Sequence, residues 1–407
     1  MVAEGPGARR VVPGGSPSPV TPPRGGGSDR GADDPTVPVV VAGAIASKLH
    51  NGGEAWVRMS WLRAVAAAGH DAWLIEQIDD PAPEQVAYFA AVAHSFGATG
   101  RALLVDGSAR VVVGPGGVDA RDVADAADVL LNISGHLSGP SLFERFDRRV
   151  LVDIDPGYTQ AWHAQGLAGA HVEGHHAFAT IGENIGADDC AVPTCGLTWI
   201  PTRQPVAVDD WAAPPPPGPV RFTTVAAWRG SYGPLSLDGV TYGVKAHEFR
   251  RIRELPARCP QAGFEIALDI HPGDAADRDA LLAAGWALAD PAAASATPGR
   301  FRDYVRASGA ELSVAQGVYV ATNSGWFSDR TARYLAAGRP AVVQDTGFSR
   351  NLPCGRGLLP FDGVDDAADA VAAVVDDYDG HAAAARALAA AHLDPVAIVD
   401  RLLADTR

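Results

Sequence analysis

The sequence predicts an α/β protein built from two open parallel sheets, each flanked by helices. Three observations carry this. Short apolar runs that read as buried strands alternate with stretches at helical spacing along most of the chain. The first run leads through a glycine-containing loop and a helix to a second strand, a βαβ unit, which makes the sheet parallel. A proline-rich segment, Trp211 to Pro219, then interrupts the alternation midway through 407 residues, and the pattern resumes beyond it.

The first core strand spans residues 38–45 and is almost wholly apolar, as a strand covered on both faces requires. The loop His50-Asn51-Gly52-Gly53-Glu54 follows, then a helix over about 55–68, stopped by Gly69 and His70. A second strand is expected at 72–75, and others at 101–105, 111–113, 129–132, 150–154 and 177–181, with a short helix at 122–128. Beyond the prolines come strands at 221–225, 264–268 and 340–344 and helices at 245–254, 299–308, 329–337, 366–377 and 381–391. The division that follows is a disordered Gly/Pro/Ser-rich tail (1–36), an N-terminal domain (37–205), a linker (206–219) and a C-terminal domain (220–407). Two such domains leave a cleft between them, the usual place for a ligand. Ligands of open α/β sheets sit outside the carboxyl ends of the strands, which gathers 51–54, 134–136 and 155–158 around one crevice.

Composition narrows the partners. Apolar residues make up 47% of the chain, enough for substantial cores. A net charge of −15 disfavours nucleic acid and anionic membranes and leaves small molecules as the expected partners. No apolar run reads as long enough to cross a membrane, and the first residues lack the pattern of a signal peptide, so a cytoplasmic location is expected. Cys190, Cys195, Cys259 and Cys354 are too few and too scattered for a disulfide framework. The densest possible metal cluster is His171, Glu173, His175 and His176. Adjacent histidines do not easily face one ion and no H-E-x-x-H pattern is present, so a loop or surface role is expected, with no metal. Gly43-Ala44-Ile45-Ala46-Ser47 is not the G-x-G-x-x-G of a dinucleotide site.

The stretch from Thr322 to Gly347 holds the most chemistry. Ser324-Gly325-Trp326-Phe327-Ser328-Asp329 reads as a polar turn running into a helix, with Ser328 as its N-cap and Asp329 in its first turn. Gly338 and Pro340 end the helix ahead of a buried strand. Free backbone amides at such a helix start suit a diphosphate. This segment resembles the donor-binding segment of glycosyltransferases of the GT-B fold, within an atypical bacterial group. The strand, Gly-Gly loop, helix and Gly69-His70 turn are similar to the opening of that fold. The resemblance implies two Rossmann-like domains and a hexosyltransferase-class enzyme. Its co-substrate would be a nucleoside-diphosphate sugar, its acceptor a hydroxyl, and it would need no cofactor. It further implies that Arg229 and Lys245 grip the diphosphate, together with Ser324, Gly325, Trp326, Phe327, Ser328, Asp329 and Arg333. A planar guanidinium and a compact ammonium are suited to phosphate oxygens. Asn51, Gly52 and Gly53 would form the acceptor loop.

Many retaining members carry two glutamates with seven residues between them. Gly325 and Arg333 stand at those positions, so the stereochemistry is left open. An inverting enzyme needs a base in the first domain. Asp155, in Asp153-Ile154-Asp155-Pro156-Gly157, is the first candidate, His136 the second and Glu54 the third. Each has a plainer reading: Asp155 as a turn former before Pro-Gly, His136 as a satisfied loop histidine, and Asp329 as a residue favouring the helix start. Lys245, Arg229 and Arg333 read equally as surface charges. Trp326 and Phe327 read as core. Two other functions fit the same fold: a nucleotide-sugar epimerase, and a nucleotide-binding protein without catalysis.

Overall fold

A computed structural model describes residues 38–407 apart from Ser231 and Asp238; the tail expected to be disordered lies outside the described residues. The first sheet contains β1 (Pro38–Ala42), β2 (Asp71–Gln77), β3 (Ala102–Val105), β4 (Val111–Val113), β5 (Val129–Ile133), β6 (Arg149–Asp153), β7 (Ala177–Thr180) and β8 (Trp199–Pro201). Its order is β4-β3-β2-β1-β5-β6-β7-β8, parallel except for β4 on the edge. Val39 and Val41 face one core and Val40 and Ala42 the other, which explains why β1 is apolar throughout. The order reverses between β1 and β5, and the crevice outside such a reversal is where ligands bind.

The second sheet contains β9 (Arg221–Ala227), β12 (Gly263–Asp269), β13 (Ala287–Ala289), β14 (Ala310–Ser313), β15 (Ala341–Gln344) and β16 (Leu358–Phe361). It runs β13-β12-β9-β14-β15-β16 and reverses between β9 and β14. Between β9 and β12 the chain inserts an antiparallel hairpin, β10 (Leu235–Leu237) with β11 (Val240–Tyr242). The helices that position the site are α1 (Gly52–Ala67), α2 (Tyr158–Ala164), α3 (Lys245–Arg251), α4 (Pro298–Ala307), α5 (Gly317–Ala321), α6 (Asp329–Ala336), α7 (Tyr378–His392) and α8 (Pro395–Asp405).

Strands β8, β10, β11, β13, β14 and β16 and helices α2, α5 and α8 escaped the sequence reading. Glu311 interrupts the apolar run of β14 because a buried guanidinium awaits it, and β16 tolerates Pro360 because it is an edge strand. The expected linker contributes a core residue. Trp211 is fully buried, 4.7 Å from the ring of Trp56 and 6.1 Å from that of Phe301. The membrane expectation needs correcting. Tyr378–Asp405 contains a window that is by length and composition apolar enough to span. In the structure it is α7 and α8, broken at Leu393 and Asp394. Helix α7 sets Ala385, Leu388 and Ala389 in the core that holds Trp211, Leu335 and Val343. Helix α8 instead crosses back, packs on α1, and adds Val399, Leu402 and Leu403 to the core of the first sheet.

Candidate active site

A cleft of about 470 Å³ lies where the carboxyl ends of the two sheets meet, within the size range of small-molecule sites. The first lobe lines it with Asn51, Gly53, Glu54 and Asp155, and the second with Lys245, Gln316, Tyr319, Trp326 and Ser328 to Arg330. Asn51 is the N-cap of α1: its side-chain oxygen accepts the Glu54 amide at 3.1 Å. The Gly-Gly pair expected as a loop is thus the first turn of the helix, which leaves Glu54 at the cleft. Glu54 forms an ion pair with the buried Arg58 one turn on.

Asp155 follows β6 in a turn held by Asp153. The buried Asp153 carboxyl accepts the Asp155 amide at 3.0 Å, the Thr159 and Thr180 hydroxyls at 2.7 Å each, and the Gln160 amide at 2.9 Å. The turn is therefore a built feature, and it presents Asp155 to the cleft. Burial, aided by the charges of Glu54 and Asp153, pushes the Asp155 carboxyl up to about 7, against the pull of Arg58 and of the Tyr319 hydrogen bond. The other two base candidates differ. Glu54 is tied to Arg58. His136 does not line the cleft; burial first, then Arg58, Lys48 and His171, hold its imidazole down to about 3, so it stays neutral.

Opposite Asp155, Lys245 opens α3, its amide donating to Gln316 Oε1 at 2.8 Å. Among the described residues, no carboxylate or acceptor is within bonding distance of its ammonium. Burial, with Arg330 beside it, holds that ammonium down to about 7, while Asp329 and Glu311 pull the other way. Arg330 donates through Nε to the buried Glu311 at 2.7 Å, and also to Ser313 and to the Val225 carbonyl. Two partly buried cations, of which only Arg330 has a carboxylate partner, make this side of the cleft suited to an anion. Arg330 and Glu311 were not among the residues expected from sequence. A lone glutamate in a buried strand was the signal that could have found them.

The remaining donor candidates scatter. Arg229 does not line the cleft; it is exposed and forks onto Asp274 at 2.8 Å twice. Ser328 caps α6 through the Arg330 amide, as expected. The amides expected to bind an anion are partly engaged already: Ser324 donates to the Tyr319 carbonyl, Gly325 to that of Thr346, and Trp326 to the Ser324 hydroxyl. Gly325 has φ +75°, and a Cβ there would lie 2.8 Å from the Asn184 backbone nitrogen, so no glutamate fits. Phe327 packs on Phe348. Arg333 is buried, paired with Asp329 at 3.0 Å and reaching Ser60 of α1 at 3.5 Å, a contact between lobes. Trp326 lines the cleft and stacks on Tyr319, ring centroids 4.6 Å apart. Gly52 is buried against the Thr297 carbonyl at the start of α4.

The histidine-rich stretch does not converge. His175 meets Asn132 and the Val172 carbonyl, His176 meets Arg149, and Glu173 lies 3.6 Å from His163. Among the described residues no group of three His, Cys, Asp or Glu side chains is placed to hold a metal ion.

No family model and no curated protein matches the chain. Solved structures do. HepE from Anabaena, crystallised with UDP-glucose, superposes with a TM-score of 0.56 at 9% identity, covering 91% of this chain and 99% of its own. The same protein with UDP gives 0.54 at 11% identity over the same shares. A glycosyltransferase from Rickettsia africae gives 0.54 at 8% identity, over 92% of this chain and 98% of its own. At these identities the likeness is one of fold, and it covers both lobes: the chain has the two-domain, Rossmann-like GT-B architecture.

Proposed function

We propose that the protein is a glycosyltransferase that moves a sugar from a nucleoside-diphosphate sugar to an acceptor hydroxyl. One observation carries the reading most: the partnerless Lys245 ammonium beside Arg330, across a cleft from an Asp155 carboxyl held near neutrality. The domain roles follow, with 37–205 receiving the acceptor and 220–407, less its last helix, holding the donor. Asp155 takes the proton from the acceptor hydroxyl as its oxygen bonds to the anomeric carbon. The bond from that carbon to the diphosphate oxygen breaks, and Lys245 and Arg330 meet the charge gathering on the leaving group. A single displacement of this kind inverts the anomeric configuration. The solved neighbours carry UDP and UDP-glucose, which makes a uridine nucleotide and a hexose the first donor to try here.

The test is a thermal-shift titration with UDP, GDP, ADP and dTDP on the wild type and on Lys245→Ala. A ligand binding only the folded state at a hundredfold excess over Kd stabilises by about 2.7 kcal/mol. We expect one nucleotide to stabilise the wild type, with affinity weakened roughly 10- to 100-fold in the variant, the effect of losing a bond to a charged group. No shift with any of them, in a sample that unfolds cooperatively, would remove the donor site and this function with it. Binding without transfer to any of a broad set of acceptors would leave a non-catalytic nucleotide-binding protein.

A further inference from the structure

The carboxyl of Asp155 belongs to the first lobe, yet both of its oxygens are met by phenols of the second. Tyr232 Oη lies 3.4 Å from Oδ2 and Tyr319 Oη 3.3 Å from Oδ1. These are long for O–H···O bonds, as is common where catalytic contacts tighten only around substrate. Burial raises the proton affinity of both phenols, so both remain donors. Tyr319 sits on α5, directly after Gln316, whose oxygen accepts the Lys245 amide. Tyr232 arrives on a detour. After β9 the chain turns at Gly230, runs through the β10–β11 hairpin and returns only at Lys245. That hairpin is docked on the first lobe: Leu235 and Leu237 are buried with Tyr158 and Ala161 of α2, and the Ser236 carbonyl accepts from Gln165 at 2.7 Å. The Tyr232 ring rests 4.9 Å from that of Tyr158 and 4.8 Å from that of Trp162.

We propose that Tyr232 and Tyr319 are positioning residues for the Asp155 carboxyl, and that the docked hairpin completes the base from the opposite lobe. The role assigned to Asp155 rests on the proposed function; the contacts do not. With one phenol on each oxygen the carboxyl is held in one plane. Each oxygen keeps a lone pair for an acceptor hydroxyl. Donor lobe and base are thereby linked, because the element that leads into Lys245 also carries Tyr232.

The test is an infrared titration of the Asp155 carboxyl in the full chain, its band identified by loss in Asp155→Asn. The other charges and phenols that face it are Glu54 and Arg58 from α1, Asp153 from β6 and Tyr158 from α2. Removing a donor to the charged form favours the protonated one, so Tyr232→Phe and Tyr319→Phe should each tighten proton binding by roughly three- to tenfold. The ring packing is retained in both. Glu54→Gln should move the titration the opposite way, which checks that the band reports this carboxyl. An unmoved titration in both phenylalanine variants and in their double would overturn the proposal. Failure to turn over UDP-glucose in the wild type would count against the proposed function alone, since the titration needs no substrate.

Discussion

Lys245 and Asp155 line one cleft from opposite lobes, and both titrate near neutrality for the same physical reason, desolvation. Their signs differ. In the proposed reaction, diphosphate binding uses the Lys245 ammonium and should weaken as pH rises through about 7; proton abstraction uses the Asp155 carboxylate and should strengthen over the same range. We therefore expect a narrow bell in kcat/KM centred near 7. In kcat, where bound anion holds Lys245 charged, only the rising limb should remain. Lys245→Gln should flatten the falling limb, and Asp155→Asn should lower kcat by roughly 10²- to 10⁴-fold; a bell unchanged in Lys245→Gln would refute the assignment. Stability follows the same linkage. The raised Asp155 affinity means stability falls as pH rises from the ordinary carboxylate range to about 7, and the lowered Lys245 affinity means it grows from about 7 towards the ordinary lysine range.

Among the elements, the start of α1 shows how a glycine pair divides its tasks. A Cβ on Gly52 would lie 2.2 Å from the Thr297 carbonyl oxygen and 2.7 Å from the Pro298 nitrogen, both rigid backbone at the start of α4. A Cβ on Gly53 would meet Asn51 Oδ1 at 3.5 Å, an ordinary contact. Gly52→Ala should therefore destabilise by about 1–3 kcal/mol, the cost of overpacking, despite the better helix propensity of alanine. Gly53→Ala should be neutral or stabilise by up to about 1 kcal/mol. Urea unfolding of both variants decides this, and equal effects would sink the distinction. The pair was legible in the sequence as an unusual opening to a helix. Its purpose was not, because residue 297 is more than two hundred positions away and nothing local marks the approach. Arg229 and Lys245 illustrate the same limit. They read as one phosphate-binding pair, but the hairpin between them turns Arg229 outward to Asp274 and leaves Arg330 as the neighbour of Lys245.

For the whole molecule, the lobes are joined by more than the linker. Trp211 fills a core with Trp56 of the first lobe and Phe301 of the second. Asn184 donates to the carbonyls of Asn323 and Gly347, at 3.0 and 3.1 Å. Helix α8 returns to the first sheet, where Arg148 donates to the Leu403 and Thr406 carbonyls. Leu402 is 2% exposed, so Leu402→Ala should cost about 2–5 kcal/mol. The loss should appear in the unfolding of the first lobe, although the residue lies at the far end of the chain. A calorimetric scan in which that variant unfolds like the wild type would contradict this placement.

Alternation of strand and helix, apolar strands and a proline break are local patterns set by burial and backbone sterics, and from them alone the two α/β lobes, the cleft and the start of α6 at Ser328-Asp329 could be read. The pattern also placed Asp155 and Glu54 at a crevice outside the carboxyl ends of the strands, and both line the cleft; Lys245, which lines it too, was singled out by the resemblance instead. What the pattern did not contain was pairing over distance. That Glu311 meets Arg330, that Arg333 reaches Ser60, and that Tyr232 and Tyr319 close on Asp155 depends on which surfaces the two lobes bury against each other. A buried charge or phenol is stable only beside its partner, and that partner is set by tertiary packing rather than by spacing along the chain.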